Sequence, residues 1–261
     1  MTYLEYIKSE DSISKMKNLE EKGGASFALS EIYTNQTQKL SEIHNISPYL
    51  DGIKCLNRGI VFSAFEEDLY KGFVYAMLWG GLGVGQGVWR NLTTAMSFSK
   101  DTITEKLKRV KSLLDDGNLK EAFISMHRGN NKIKGIGPSY FTKILYFMYS
   151  KDRKAELYPL IYDKWGMHIH SALLLEASQT LNSYGFLYIL GDRKRRCILY
   201  DIYKDYLKRM KALSDELKLN NPGILEEFLF GQSQKINRST NNPRVVLLNY
   251  LRDKYDSSRT E

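Results

Sequence analysis

The architecture of this 261-residue chain is indicated by one stretch, Asn130-Asn-Lys-Ile-Lys-Gly-Ile-Gly-Pro-Ser-Tyr-Phe-Thr-Lys-Ile-Leu-Tyr-Phe-Met148. A helix is predicted to end near Arg128-Gly129, and a tight loop then contains Gly135 and Gly137. Pro138 follows at the first position of a new helix, where its missing N–H costs nothing. Glycine lets a backbone turn sharply and approach a ligand closely. The N–H groups at the start of the second helix favour an anion. The stretch therefore predicts two helices joined by an anion-binding hairpin.

Basic residues flank this hairpin. Lys132 and Lys134 lie on its N-terminal side, and the chain as a whole carries a net charge of +8. A helix-hairpin-helix of this build holds one DNA phosphate through backbone amides, a contact that positions the protein without reading sequence. The alternative is a plain Gly-X-Gly connection between helices. The basic flank and the proline together favour contact with nucleic acid.

The helix after the hairpin separates a core stripe from an opposite face. Its apolar positions follow the i, i+3, i+4, i+7 spacing of a buried stripe, namely Phe141, Ile144, Leu145 and Met148. Ser139 and Lys143 lie one turn apart on the other face. We therefore expect Lys143 outside the core, facing solvent or a cleft, with an ordinary surface lysine as the alternative.

A carboxylate follows about twenty residues later. The segment Glu156-Leu-Tyr-Pro-Leu-Ile-Tyr-Asp163 is apolar towards its end, and Asp163 is predicted to begin a helix. An aspartate at this position commonly caps the helix. The functional interpretation is a carboxylate at the edge of a cleft, facing the hairpin.

The rest of the chain also predicts helices, and no alternating run bounded by hairpin turns indicates a strand. The predicted helices are 69–79, 103–114, 119–126, 138–149, 166–181, 197–219, 222–230 and 245–251. The fold class is therefore all-α.

Two segments bear on the membrane and on export. Residues 72–89 are uncharged, but six of these 18 residues are glycine, which is costly inside a helix. They predict a buried helix running into a glycine-rich loop, and no membrane contact. The N-terminal MTYLEYIKSEDS lacks the apolar core of a secretory signal. We expect a cytoplasmic protein.

Several other features are candidates for binding. The run Arg193-Lys194-Arg195-Arg196 is either a solvated face or a surface that follows phosphates. His168 and His170 do not share a helix face, so a metal site is not expected. Only two cysteines are present, which excludes a four-cysteine iron–sulfur cluster. We expect no cofactor.

The hairpin, the Gly-Ile-Gly-Pro turn and the later Asp163 resemble the helix-hairpin-helix superfamily of DNA glycosylases. The fuller Lys134-to-Phe147 pattern, Leu78-Trp-Gly-Gly81 and Ile224-Leu-Glu-Glu-Phe-Leu-Phe230 resemble its 8-oxoguanine-glycosylase-like branch. Some bacterial members of that branch act against phage by excising hypermodified bases, and α-glucosylated hydroxymethylcytosine is the substrate this implies. An 8-oxoguanine repair enzyme with AP lyase activity and a non-catalytic DNA-binding module are the alternatives.

The resemblance also implies roles for individual residues. Asp163 matches the family aspartate that stabilises the cationic transition state, and Gly135, Gly137 and Ser139 belong to the DNA-binding hairpin. In bifunctional members a lysine that attacks the sugar stands where this chain has Ser139. This departure leaves lyase activity open, and Lys143 could take the role of that lysine. Four further residues are expected in a pocket for the flipped base, namely Trp79, Gly80, Gly81 and Trp165.

The resemblance implies a two-lobed fold with the active cleft between the lobes. We expect an N-terminal region, 1–65, packing with the C-terminal lobe, a central lobe, 66–165, holding the hairpin, and a C-terminal lobe, 166–261. The expected partner is double-stranded DNA with a modified base, bound by a monomer.

Overall fold

The computed structural model describes residues 2–21, 26–28, 47–49, 53, 55–80, 94–149, 157–177, 200–230 and 242–257. Its helices over these residues are α1 Tyr3–Ile7, α2 Glu10–Glu21, α3 Arg58–Glu67, α4 Leu69–Trp79, α5 Lys100–Asp115, α6 Leu119–His127, α7 Pro138–Met148, α8 Lys164–Glu176, α9 Tyr200–Glu216, α10 Pro222–Phe230 and α11 Pro243–Ser257. A 3₁₀ turn covers Ser47–Tyr49.

The all-α fold class is confirmed. The strands in the described part of the chain are β1, Ser26–Ala28, and β2, Cys55–Asn57. They pair antiparallel, with Phe27 opposite Leu56. Three residues per strand are too few for a hydrophobic sheet face, so helix packing provides the core.

Capping side chains explain where several helices begin. Asp68 Oδ1 accepts hydrogen bonds from the N–H groups of Tyr70, at 2.7 Å, and Lys71, at 2.9 Å, so α4 begins at the predicted residue. Asn242 Oδ1 accepts from the Arg244 N–H at 2.9 Å, and α11 therefore starts two residues earlier than predicted. The predicted beginning of helix 197–219 and end of helix 166–181 lie outside the described residues.

The chain forms two compact units, residues 25–161 and residues 1–24 together with 162–261. These differ from the expected ranges, because α3 belongs with the hairpin unit and only α1 and α2 join the C-terminal helices. The reason lies in α3, whose residues pack on α4 and α7. Gly72 allows that close approach, since a Cβ there would lie 2.3 Å from Phe65 Cγ.

In the hairpin unit, α7 is surrounded by other helices. It packs against α3, α4 and α6, while α5 packs against α4 and α6. Every residue of α7 from Phe141 to Met148 is buried. This helix is thus the centre of its unit.

In the other unit, α8 packs against α1, α9, α10 and α11. The Tyr3 N–H donates to Glu176 Oε1 at 2.8 Å, and the Tyr3 ring lies 5.9 Å from that of Tyr250. The N-terminal helices are therefore integral to this unit. No helix in the described ranges is long and apolar enough to cross a membrane.

Candidate active site and nucleic-acid interface

The predicted hairpin between α6 and α7 is present. The Gly129 N–H donates to Ile124 O at 3.2 Å and ends α6. Gly135 has a φ of 87°, a conformation that favours glycine. Gly137 precedes α7 with a φ of −91° and a ψ of −179°, which any residue can adopt. A Cβ on Gly137 would meet nothing within 4 Å.

The start of α7 is open to a ligand. No side chain in the described ranges caps it, and Pro138 occupies its first turn. At this start Pro138 has no N–H and the Tyr140 N–H donates to Gly137 O at 2.9 Å, whereas the Gly137 and Ser139 N–H groups form no hydrogen bond with the described residues. Such N–H groups at a helix start bind anions well. Since neither backbone conformation nor packing within the described residues requires glycine at 137, its small size suits a partner that approaches the backbone.

Positive charge surrounds this opening. Lys132, Lys134 and Arg128 are exposed on the hairpin. Lys106 Nζ donates to Asn130 O at 2.6 Å and adds a fourth cation from α5. Burial and the charges of Arg128 and Lys132 lower the pKa of His127. The hairpin thus combines open amides with a cationic rim.

Lys143 does not lie where the sequence predicted it. Its side chain is only 3% exposed, so the expectation that it lies outside the core is corrected. Lys143 Nζ donates to Ser139 O at 2.9 Å, and its aliphatic part lies against Gly80, where a Cβ would come within 3.1 Å of Lys143 Cδ. The physical reason is that helices pack on several sides of α7, so its polar face is covered as well.

Trp79 lies in the interior of the hairpin unit. It is 8% exposed, meets Phe147 edge-to-face at 5.2 Å and has the Arg58 guanidinium 5.2 Å from its ring. Arg58 Nη1 in turn donates to Tyr146 Oη at 2.8 Å. This burial favours a core role for Trp79. Gly81, its predicted neighbour in the base pocket, lies outside the described residues.

Asp163 stands at the start of α8 as predicted. Its Oδ1 accepts hydrogen bonds from the N–H groups of Trp165, at 2.9 Å, and Gly166, at 3.4 Å. The residue is partly exposed. Because the helix N-terminus carries partial positive charge, the ionised carboxylate is favoured there.

A hydrogen-bonded chain supports the residue before Asp163. Tyr162 Oη lies 2.8 Å from His170 Nδ1, and His170 Nε2 lies 2.8 Å from Asp205 Oδ2. Arg209 Nε donates to the same oxygen at 2.7 Å. The hydrogen bonds from His170 and Arg209 lower the pKa of Asp205 to about 2. An ionised carboxylate only accepts, so His170 Nε2 carries a proton.

An arginine that sequence inspection missed lies beside Trp165. The Arg244 guanidinium carbon is 4.5 Å from the Trp165 ring and 4.4 Å from the Phe230 ring, and Arg244 Nε donates to Phe230 O. The charges of Asp163 and Glu226 act on this guanidinium. Glu226 is 1% exposed. The only sign of this cluster in the sequence was the pair of acidic residues Glu226 and Glu227 within the otherwise apolar segment 224–230.

Two features of the sequence remain, the predicted basic run and His168, which was not expected to bind a metal. Arg193, Lys194, Arg195 and Arg196 lie outside the described residues. His168 is buried and meets Trp165 edge-to-face at 5.6 Å. Burial, together with the charge of Lys164, lowers the pKa of His168 to about 4. No group of three or more His, Cys, Asp or Glu side chains in the described ranges is arranged to hold a metal.

An all-α chain with a glycine-containing hairpin between two helices and an aspartate at a later helix start has the features of a helix-hairpin-helix DNA glycosylase. A family model supports this class: the one described as "Putative 8-oxoguanine DNA glycosylase OGG-like protein" matches residues 34–230. The chain belongs to this family, and thereby to the DNA glycosylases in general. Searches of curated proteins and of solved structures found no match.

Proposed function

We propose that this protein excises a modified base from double-stranded DNA and leaves an abasic site, with Asp163 as the catalytic carboxylate. The observation that carries the proposal is the placement of Asp163. One of its oxygens is held by two backbone N–H groups at the start of α8, and the residue keeps partial exposure. A carboxylate held in this way does not need to reorganise when positive charge develops beside it.

The proposed reaction needs little more than electrostatic stabilisation. A glycosylase first turns the target base out of the duplex. The bond between C1′ and the base nitrogen then breaks, and its electron pair leaves with the base, which takes up a proton. The sugar is left with oxocarbenium character, which Asp163 stabilises. Water adds to C1′ and loses a proton, which completes the hydrolysis.

The hairpin supplies the proposed DNA contact. The open N–H groups at the start of α7 bind one phosphate, and the exposed Lys132 and Lys134 add charge beside it. Such contacts position the duplex and carry no sequence information. Trp165, partly exposed next to Asp163, is the proposed stacking residue for the flipped base, and Arg193–Arg196 form a proposed second phosphate surface.

The proposed substrate is a hypermodified phage base such as α-glucosylated hydroxymethylcytosine, and the proposed role is therefore antiviral defence. The protein is proposed to act in the cytoplasm as a monomer. Its support is the resemblance of the Lys134-to-Phe147 pattern to the branch that contains such enzymes. The second candidate, 8-oxoguanine repair, is favoured by the description of the matching family. Cleavage of one substrate and not the other decides between them.

The test uses a panel of duplexes containing 8-oxoguanine, uracil, alkylated bases or glucosylated hydroxymethylcytosine, each scored for abasic sites. Asp163→Asn should abolish base release while duplex binding persists, because asparagine still caps a helix but carries no charge.

The matched control is Asp68→Asn. Asp68 caps α4 with the same pattern of two bonds to one oxygen, and its other oxygen pairs with Lys100 at 3.3 Å. Its substitution therefore removes a capping charge at the start of a helix other than α8. Full base release by Asp163→Asn would refute the catalytic role. A wild-type protein that binds every duplex and releases no base would instead support a non-catalytic module.

Lyase activity through Lys143 is tested separately. A lysine that attacks C1′ forms a Schiff base, which borohydride converts into a stable protein–DNA adduct. The structure holds Lys143 Nζ on Ser139 O at 2.9 Å in a buried position, so attack requires this bond to break. An adduct that forms in the wild type and disappears in Lys143→Gln would establish the lyase; no adduct would eliminate it.

A further inference from the structure

Arg244, at the start of α11, is enclosed by contacts. Its side chain is buried, with the guanidinium flanked by the rings of Trp165 and Phe230 at 4.5 and 4.4 Å. Its Nε donates to the carbonyl of Phe230, the last residue of α10. One side chain therefore joins the starts of α8 and α11 to the end of α10.

Nearby carboxylates partly offset the cost of burying this cation. Burial lowers the pKa of the Arg244 guanidinium, whereas the charges of Asp163 and Glu226 act to raise it. Among the described residues the hydrogen bond of its side chain goes to a carbonyl and not to a carboxylate. The attraction to Asp163 therefore acts through space and leaves the bonds of Asp163 to Trp165 and Gly166 intact.

Among the described residues, the other ionisable groups that act on Asp163 are less suited to hold its charge. Lys164 is exposed to solvent. His168 is neutral at neutral pH, because its pKa is lowered to about 4. Buried Tyr206 on α9 is also neutral, since burial raises its pKa well above 10. Glu226 on α10 has the same sign as Asp163 and repels it.

We propose that Arg244 is the positioning residue for Asp163: its fixed cation keeps the carboxylate ionised, and its stack on Trp165 orients the turn that binds Asp163 Oδ1. This inference rests on the proposed function, in which Asp163 must be ionised when positive charge develops on the sugar. Arg244 itself does not contact the reacting atoms.

The experiment compares two substitutions that separate charge from packing. Arg244→Met keeps an apolar chain between the two rings and removes the charge, whereas Arg244→Lys keeps the charge and removes the flat stacked plane. Arg252→Met is the matched control, because Arg252 is an exposed arginine of the same helix.

The first measurement does not depend on activity. The side-chain ¹³C carboxyl signal of Asp163, identified by its absence in Asp163→Asn, is titrated with acid in each variant. Removal of a neighbouring cation favours the protonated carboxyl, so Arg244→Met should raise the midpoint by about one pH unit, while the other two variants stay close to the wild type. The imidazole signals of His168 are followed in the same titration, because it titrates in the same range.

The second measurement is base release on the duplex that the panel identifies. Arg244→Met should lower kcat about tenfold on the acid side of the pH profile, because the acid limb shifts to higher pH. KM should change little. Arg244→Lys should keep the acid limb at its wild-type position with an intermediate kcat, because it keeps the charge and loses the stack on Trp165.

An unmoved Asp163 midpoint in a folded Arg244→Met variant would overturn the inference. If Arg244→Met does not fold, Arg244→Gln replaces it, since its amide can donate to Phe230 O. If both uncharged variants fail to fold while Arg244→Lys folds, the charge serves the fold and the proposal is also wrong. A wild type that releases no base, with the midpoint shift intact, would overturn the proposed function alone.

Discussion

Substituting Gly137 by alanine should weaken DNA binding and leave the fold intact. In the free protein the new methyl group meets nothing within 4 Å, and a φ of −91° suits alanine. A compatible glycine-to-alanine change stabilises by about 0.4–1 kcal/mol through the unfolded state. Alanine is poorer than glycine at a helix N-cap by a similar amount. We therefore expect the free energy of unfolding to change by less than about 0.5 kcal/mol.

In the proposed complex with DNA, the same methyl group lies where the phosphate approaches the hairpin amides. Breaking one hydrogen bond to a charged group costs about 1.5–3 kcal/mol, which weakens binding about 10- to 150-fold. The assay is fluorescence anisotropy with a labelled duplex at one fixed salt concentration, paired with urea unfolding of the same protein preparations.

Two other glycines provide controls. Gly117→Ala, at a positive φ of 75° in the connection between α5 and α6, should lower stability and leave DNA binding unchanged. Gly135→Ala, at a φ of 87°, should lower stability by about 1–2 kcal/mol. If Gly137→Ala binds the duplex within twofold of the wild type, the hairpin is not the phosphate site and the reasoning fails.

Three further predictions concern charge and packing. Replacing Lys132 and Lys134 together by alanine should flatten the slope of log K for DNA binding against log salt by about 1.8, or about 0.9 for each phosphate that is no longer neutralised. An unchanged slope would show that neither lysine contacts a phosphate. The pKa of Asp205 is lowered to about 2 from 3.8, so its stabilising effect is complete above pH 3.8 and disappears as the pH falls towards 2. Its side chain is 43% exposed, so solvent screening reduces its expected contribution to the free energy of unfolding to about 1 kcal/mol. The difference in unfolding free energy between the wild type and Asp205→Asn should therefore shrink as the pH falls through this window. Gly72→Ala should destabilise by about 2 kcal/mol or more in urea unfolding, because its Cβ would lie 2.7 Å from the backbone Cα of Phe65; unchanged stability would show that α3 and α4 can separate.

Much of the fold could be predicted because its signals are local. Pro138 at the first turn of α7 and Asp68 and Asp163 at the starts of α4 and α8 act on their own backbone, within three residues. Helix periodicity likewise needs only neighbours along the chain. The hairpin and the capping aspartate were therefore visible in the sequence.

The environment of Lys143 could not be predicted in this way. The spacing of apolar residues identified one buried stripe on α7 and left Lys143 on the other face. How many faces of a helix are covered depends on which other helices pack against it, and those helices come from distant parts of the chain. The same reason explains why Trp79 is enclosed by Arg58 and Phe147.

The local sequence thus determines the all-α class, the hairpin and the aspartate that begins α8, because turns and caps depend on residues a few positions apart. Arg244 beside Asp163 and Trp165 is a product of tertiary packing, since three helix ends from separate stretches must meet to form it. Electrostatic interactions act through space, so only the tertiary structure decides that the charges of Arg244 and the capping aspartate act on each other.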